Sequence, residues 1–206
     1  MAATKAGLFS LDASGSLAGS IVFSRWKGRQ YVRQLVTPAN PKSGLQTGMR
    51  SVMRFLTQQY ASLSAGNKAL WATDALVDNI TALNADVRFN QRRARQNLGV
   101  MTNSSEAAGT TPGAPTSPVA TAAPKSVILT WVNSVTGTLN ATFIFRSLTG
   151  TFTRDISNLV RVVPTSLLTY TDPGLTTGIA QFYEIAHCNI GGILGTSTAE
   201  ITATPL

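Results

Sequence analysis

The sequence predicts an α+β N-terminal region, a β-hairpin plus two or three helices, followed by an all-β sandwich. Three observations predict it. Two β-rich runs joined by a glycine-bearing turn lie between residues 20 and 36; apolar residues at helical spacing follow Ser43; and short strands separated by Gly, Pro and Asp fill the chain from Ser126 onward. The expected organisation is a basic docking region at 1–100, a Pro/Thr/Ala-rich linker at 101–117 and the sandwich at 118–206.

The hairpin is read from Ser20–Ser24 and Gln30–Val36, joined by Arg25-Trp26-Lys27-Gly28-Arg29, with Gly28 at a turn position needing positive φ. Tyr31, Arg33 and Leu35 alternate with Val32, Gln34 and Val36, so the strand has two distinct faces. A hairpin alone is not stable in water and needs a partner surface. Pro38 and Pro41 make the next segment a stiff connector.

Ser43 with Gln46 three residues later forms a capping-box pattern, and Leu45, Met49, Val52, Met53, Leu56, Tyr60 and Leu63 then share one helical face. A second helix is expected from Ala65 to Leu76 with Leu70 and Trp71 on its buried side, and a third from Val87 to Leu98 with Phe89 and Leu98 as apolar contacts. Residues 99–124 are mostly Thr, Ala, Ser, Gly and Pro, too poor in large apolar groups to offset their own ordering entropy. Strands are expected at 127–132, 139–146, 159–163, 167–170, 181–187 and 198–204.

Charge is divided unevenly. Residues 1–110 hold thirteen Lys and Arg against five Asp and Glu, whereas residues 111–206 hold four of each, so the whole excess of +8 lies in the first half. That asymmetry points to a polyanionic neighbour for this half: an acidic protein surface, nucleic acid or a membrane surface. No apolar run reaches 18 residues, so no membrane span is expected, and the broken stretch from Gly7 to Ser20 predicts no secretory signal.

Catalytic patterns are missing. The single histidine, His187, adjoins the single cysteine, Cys188, but neighbours on a strand point to opposite faces and cannot share one ligand. There is no phosphate-binding glycine loop and no nucleophile elbow. The expectation is therefore no enzyme, no metal and no cofactor. The candidate docking residues are Arg25, Trp26, Lys27, Arg29, Tyr31 and Arg33 of the hairpin, Arg50, Arg54 and Trp71 of the first two helices, and Arg88, Arg92, Arg93 and Arg95 of the third basic segment. Trp and Arg anchor interfaces well. On a helix, Arg88, Arg92 and Arg95 share a face that could instead follow a phosphate backbone, while Arg93 turns aside.

From about residue 115, Leu129-Thr130-Trp131, Phe143–Ser147, Tyr170–Gly178, Phe182–Ala186 and Asn189–Gly192 resemble a fibronectin type III domain, an immunoglobulin-like sandwich. The resemblance implies a binding or spacer module without a catalytic constellation. That family's corner tyrosine falls at Gln181, or at Tyr183 if the register shifts by two. In the first 60 residues, Gly19–Ser24, Gly28–Arg33, Val36–Pro41, Gln46 and Arg50 resemble small structural proteins of tailed bacteriophages, and the Leu70-Trp71 helix extends the match towards residue 100. This implies a virion component in multiple copies, made in the host cytoplasm, that docks on capsid, portal, collar or tail subunits and displays the sandwich. A nucleic-acid-binding protein with an appended sandwich, or an adhesin for host surface glycans, are the alternative classes.

Overall fold

A computed structural model describes residues 15–17, 21–26, 29–36 and 40–206. The chain divides into two compact units, residues 1–41 and 42–206.

In the first unit, β1 (Gly15–Leu17), β2 (Ile21–Trp26) and β3 (Arg29–Gln34) form an antiparallel sheet in the order β1-β2-β3. The register sets Val22 opposite Arg33, Phe23 opposite Val32 and Trp26 opposite Arg29. The expected hairpin is therefore present, while its turn, Lys27 and Gly28, lies outside the described residues.

The second unit starts with three helices, α1 (Gly44–Ser62), α2 (Ala65–Asp78) and α3 (Ala82–Arg95). Each is capped by a hydroxyl: Ser43 accepts from the Gln46 N–H, Ser64 from Asn67 and Thr81 from Asn84. The remaining strands are β4 (Thr116–Ala123), β5 (Ser126–Val132), β6 (Leu139–Ser147), β7 (Leu159–Pro164), β8 (Thr169–Pro173), β9 (Gln181–Asn189), β10 (Leu194–Ser197) and β11 (Ile201–Ala203). They make two antiparallel sheets, β4-β5-β8 and β10-β9-β6-β7, with β11 continuing along β9. Together these are a β-sandwich of two antiparallel sheets.

Of three apolar clusters in the second unit, the two larger ones lie on either side of the larger sheet. On its inner side Ile144, Val163, Tyr183 and Ile185 meet Val127, Leu129 and Trp131 of β5. Its outer side is also apolar. Ala141, Phe143, Phe145, Leu159, Val162, Ala186 and Cys188 pack with Val52, Phe55 and Leu56 of α1 and with Val87 and Ala94 of α3. The helices are thus a third layer on the sandwich, and β6 is buried over Ala141–Phe145 without the alternation of a solvated strand. Gly48 allows the close approach of α1, because a Cβ there would lie 2.1 Å from the Ile156 carbonyl oxygen. Trp71, fully buried, tilts against Phe89 to join α2 with α3.

This architecture corrects the division into an anchor at 1–100, a linker at 101–117 and a sandwich at 118–206. The compact boundary falls at 41/42, and the helices share a core with the sandwich. The segment read as a linker is tied down at its start by side chains remote in sequence. Asn90 bonds both the N–H and the carbonyl of Met101, Trp71 Nε1 donates to the Thr102 carbonyl, and Asn140 Nδ2 donates to the Val100 carbonyl. Further along, Asn189 Nδ2 donates to the carbonyls of Ala108 and Thr110. Smaller corrections follow the same packing. Leu45, Met53, Leu70 and Leu98 are exposed, Phe55 is buried on α1, and α3 begins five residues before Val87.

Candidate docking surfaces

The expected docking residues do not form one patch. In the N-terminal sheet Tyr31 and Arg33 lie two apart on one face of β3 and are exposed, as are Val32, Leu35 and Val36. Phe23 is the only buried side chain among those described in this unit. Arg25, Trp26 and Arg29 are placed by their backbone register, and Lys27 lies outside the described residues. With one large buried side chain among those described, a three-stranded sheet has little to stabilise it by itself.

The basic stretch of α3 separates into different roles. Arg88 forms an ion pair with Asp78, whose carboxyl this bond holds below its ordinary range. Arg93, expected among the docking residues, instead turns inward, its Nε donating to the Gly99 carbonyl at 3.0 Å and its Nη2 to the Gly192 carbonyl at 2.7 Å. It fastens α3 to the β9–β10 turn and does not follow a ligand. Arg92 and Arg95 are exposed. Trp71 is wholly buried and serves the core, so it is withdrawn from the docking set.

Arg50 and Arg54 face a different setting. They line an open cleft of about 480 Å³ between α1 and the β7–β8 side of the sandwich, together with Lys42, Thr47, Arg146, Arg161, Tyr170 and Asp172. Asp172 is 2% exposed and accepts from Arg146 Nη1 at 2.7 Å and from the Tyr183 hydroxyl at 3.0 Å. Tyr183 therefore makes a buried bond that joins the two sheets through Asp172, while Gln181, the other candidate corner position, donates to the Ile179 carbonyl. Burial, with the Asp172 charge beside it, pushes the Tyr170 phenol up to about 12. Sequence reasoning missed Lys42, Arg146, Arg161 and Tyr170. The available signal was Arg161 inside the apolar run Leu159–Val163, where a guanidinium is tolerated only on a face that meets solvent or an anion.

His187 and Cys188 are both fully buried. His187 Nε2 accepts from the Ser134 N–H and its Nδ1 is 3.1 Å from Thr142 Oγ1, and burial lowers its pKa to about 4. Cys188 packs on the helix side of the sheet, and burial pushes its thiol up to about 12. Both are core groups with protonation states fixed at neutral pH. No cluster of three metal-ligating side chains occurs among the described residues, and no helix there is long and apolar enough to cross a membrane.

No family model and no curated protein matches the chain. Among solved structures it is similar to a β-1,2-glucanase from Parabacteroides distasonis, at 20% identity over 48% of this chain and 14% of that one, with a TM-score of 0.38. It is also similar to an Fn3-like protein from Clostridium thermocellum, at 21% identity over 46% of this chain and 94% of that one, TM-score 0.38. The FN5 domain of Drosophila Lar gives 20% identity over 46% of this chain and 96% of that one, TM-score 0.37. The chain thus spans about one seventh of the glucanase's length.

Proposed function

We propose that this chain is a non-catalytic structural protein of a tailed-phage virion, which docks through its N-terminal strands and displays the helix-backed sandwich. The observation that carries the docking role is the N-terminal sheet, with Tyr31, Val32, Leu35 and Val36 exposed and only Phe23 buried among its described side chains. Such a sheet gains its stability by laying a face on another subunit, the Tyr31, Arg33 and Leu35 face or the opposite one with Val32 and Val36. The virion assignment draws on the resemblance of residues 19–50 to phage structural proteins. Capsid, portal, collar and tail subunits are the partners it fits, and the +8 of the N-terminal half complements an acidic surface on them.

Incorporation into particles tests this. Full-length chain is expected to co-purify with particles at a fixed stoichiometry, and Tyr31→Ala/Val32→Asp is expected to remain folded, by far-UV circular dichroism, yet stay in the supernatant. Undiminished incorporation of that variant would remove the docking role from these strands. Absence of the wild-type chain from intact particles would remove the virion reading.

A further inference from the structure

We propose that the cleft between α1 and the β7–β8 side of the sandwich is a binding site for a phosphate-bearing ligand. This goes beyond the docking role and uses none of the N-terminal strands.

Five basic side chains and one carboxylate line the cleft, a net charge of +4. They converge from separate parts of the chain: Lys42, Arg50 and Arg54 from α1 and its approach, Arg146 from β6 and Arg161 from β7. Asp172, the one carboxylate, is already engaged by Arg146 and Tyr183, so it does not neutralise Lys42, Arg54 or Arg161. Holding Lys42, Arg54 and Arg161 around one concavity is costly unless an anion joins them.

The chemistry favours phosphate. Four of the five cations are guanidinium groups, whose planar forks match phosphate oxygens in pairs. A phosphate brings close to two charges and three acceptor oxygens in one compact group, so it meets several cations at once where one carboxylate does not. The first turn of α1 lines the same cleft through Thr47 and carries no acidic residue, so the positive end of the helix adds to the field. Tyr170, held protonated at neutral pH, supplies a hydroxyl donor at the wall. The cleft admits a di- or triphosphate, or a short stretch of single-stranded nucleic acid backbone.

Calorimetric titration of the full chain at low salt tests the site with sodium tripolyphosphate, a short oligothymidylate and a poly-glutamate peptide of similar charge. Both phosphate probes, or tripolyphosphate alone, are expected to bind. Binding of the oligonucleotide about tenfold or more above tripolyphosphate identifies nucleic acid as the source, and the reverse order identifies free polyphosphate. Arg54→Ala/Arg161→Ala should weaken binding about tenfold or more, since each removes charge-assisted hydrogen bonds. Arg54→Lys/Arg161→Lys, which keeps the charge and the fold, should still lose several-fold. Arg92→Ala/Arg95→Ala, exposed but outside the cleft, should change affinity less than about twofold, which separates the site from general charge. No binding of either phosphate probe, tighter binding of poly-glutamate, or equal affinity in the cleft and control variants would overturn the proposal.

Discussion

Phe55→Ala tests whether the helices and the sandwich are one cooperative body. Phe55 is 3% exposed and its ring fills the layer between α1 and the outer face of the β6–β9 sheet. Truncation removes most of a buried aromatic side chain and leaves a cavity that a three-layer core cannot close, which costs about 3–5 kcal/mol. With a urea dependence of about 2 kcal/mol per molar, a loss of about 4 kcal/mol lowers the unfolding midpoint by about 2 M. The chain carries its own reporters. Trp71 lies in the helical layer, and Trp131 lies between the two sheets on the far side of the sandwich. Two single-tryptophan backgrounds, Trp26→Phe/Trp131→Phe and Trp26→Phe/Trp71→Phe, report each layer by fluorescence. The shared core predicts that Phe55→Ala lowers both midpoints equally within error. A drop seen by Trp71 with the Trp131 transition unmoved would mean that the helices unfold separately, refuting the reasoning.

Three further outcomes follow from individual side chains. Asp86 is 1% exposed, its Oδ1 accepts from Asn90, its Oδ2 has no partner, and burial raises its pKa to about 6. Because the folded pKa lies above the unfolded value, its contribution is full below about pH 4 and is lost as pH rises through about 6. Asp86→Asn should therefore be more stable than wild type at pH 8 by about 1–2 kcal/mol, with the difference vanishing near pH 4; a gain independent of pH in urea titrations would show that the carboxyl is not the cause. Gly48→Ala, a favourable change by helix propensity, should instead cost about 2 kcal/mol or more by thermal unfolding, because the Ile156 carbonyl occupies the space its methyl needs; a stabilised variant would contradict the packing. Cys188 should react with a thiol reagent only as fast as the body opens, its thiol being buried and pushed up to about 12, and rapid labelling of folded chain would count against that burial.

Much of the local structure is legible in the sequence, because local rules determine it. The Ser43–Gln46 cap, the alternation of Tyr31 and Arg33 with Val32 and Gln34, and the strand periodicity after Ser126 each depend on a few neighbouring residues. What sequence reading loses is the third layer. Phe143-Ile144-Phe145 places large apolar groups on both faces of one strand, a pattern that fits a sheet covered on both sides, yet the covering helices lie some 50–90 residues earlier. The misread linker has the same origin. Val100 and Met101 are two apolar residues in an otherwise small and polar stretch, and the order of residues 100–103 comes from Trp71, Asn90 and Asn140, whose bonds no local pattern announces. The basic cleft is hidden for a different reason. Counting charge by halves assigns Arg146 and Arg161 to a neutral half, while the fold brings them beside Lys42, Arg50 and Arg54.

Hydrogen exchange of the N-terminal strands, in free chain and in assembled particles, addresses the docking role most directly. The account predicts fast exchange across 21–26 and 29–34 in free chain and slowing by about tenfold or more in the particle, with the amides of β6 and β9 protected in both. Equal exchange of those strands in the free and assembled states would contradict it.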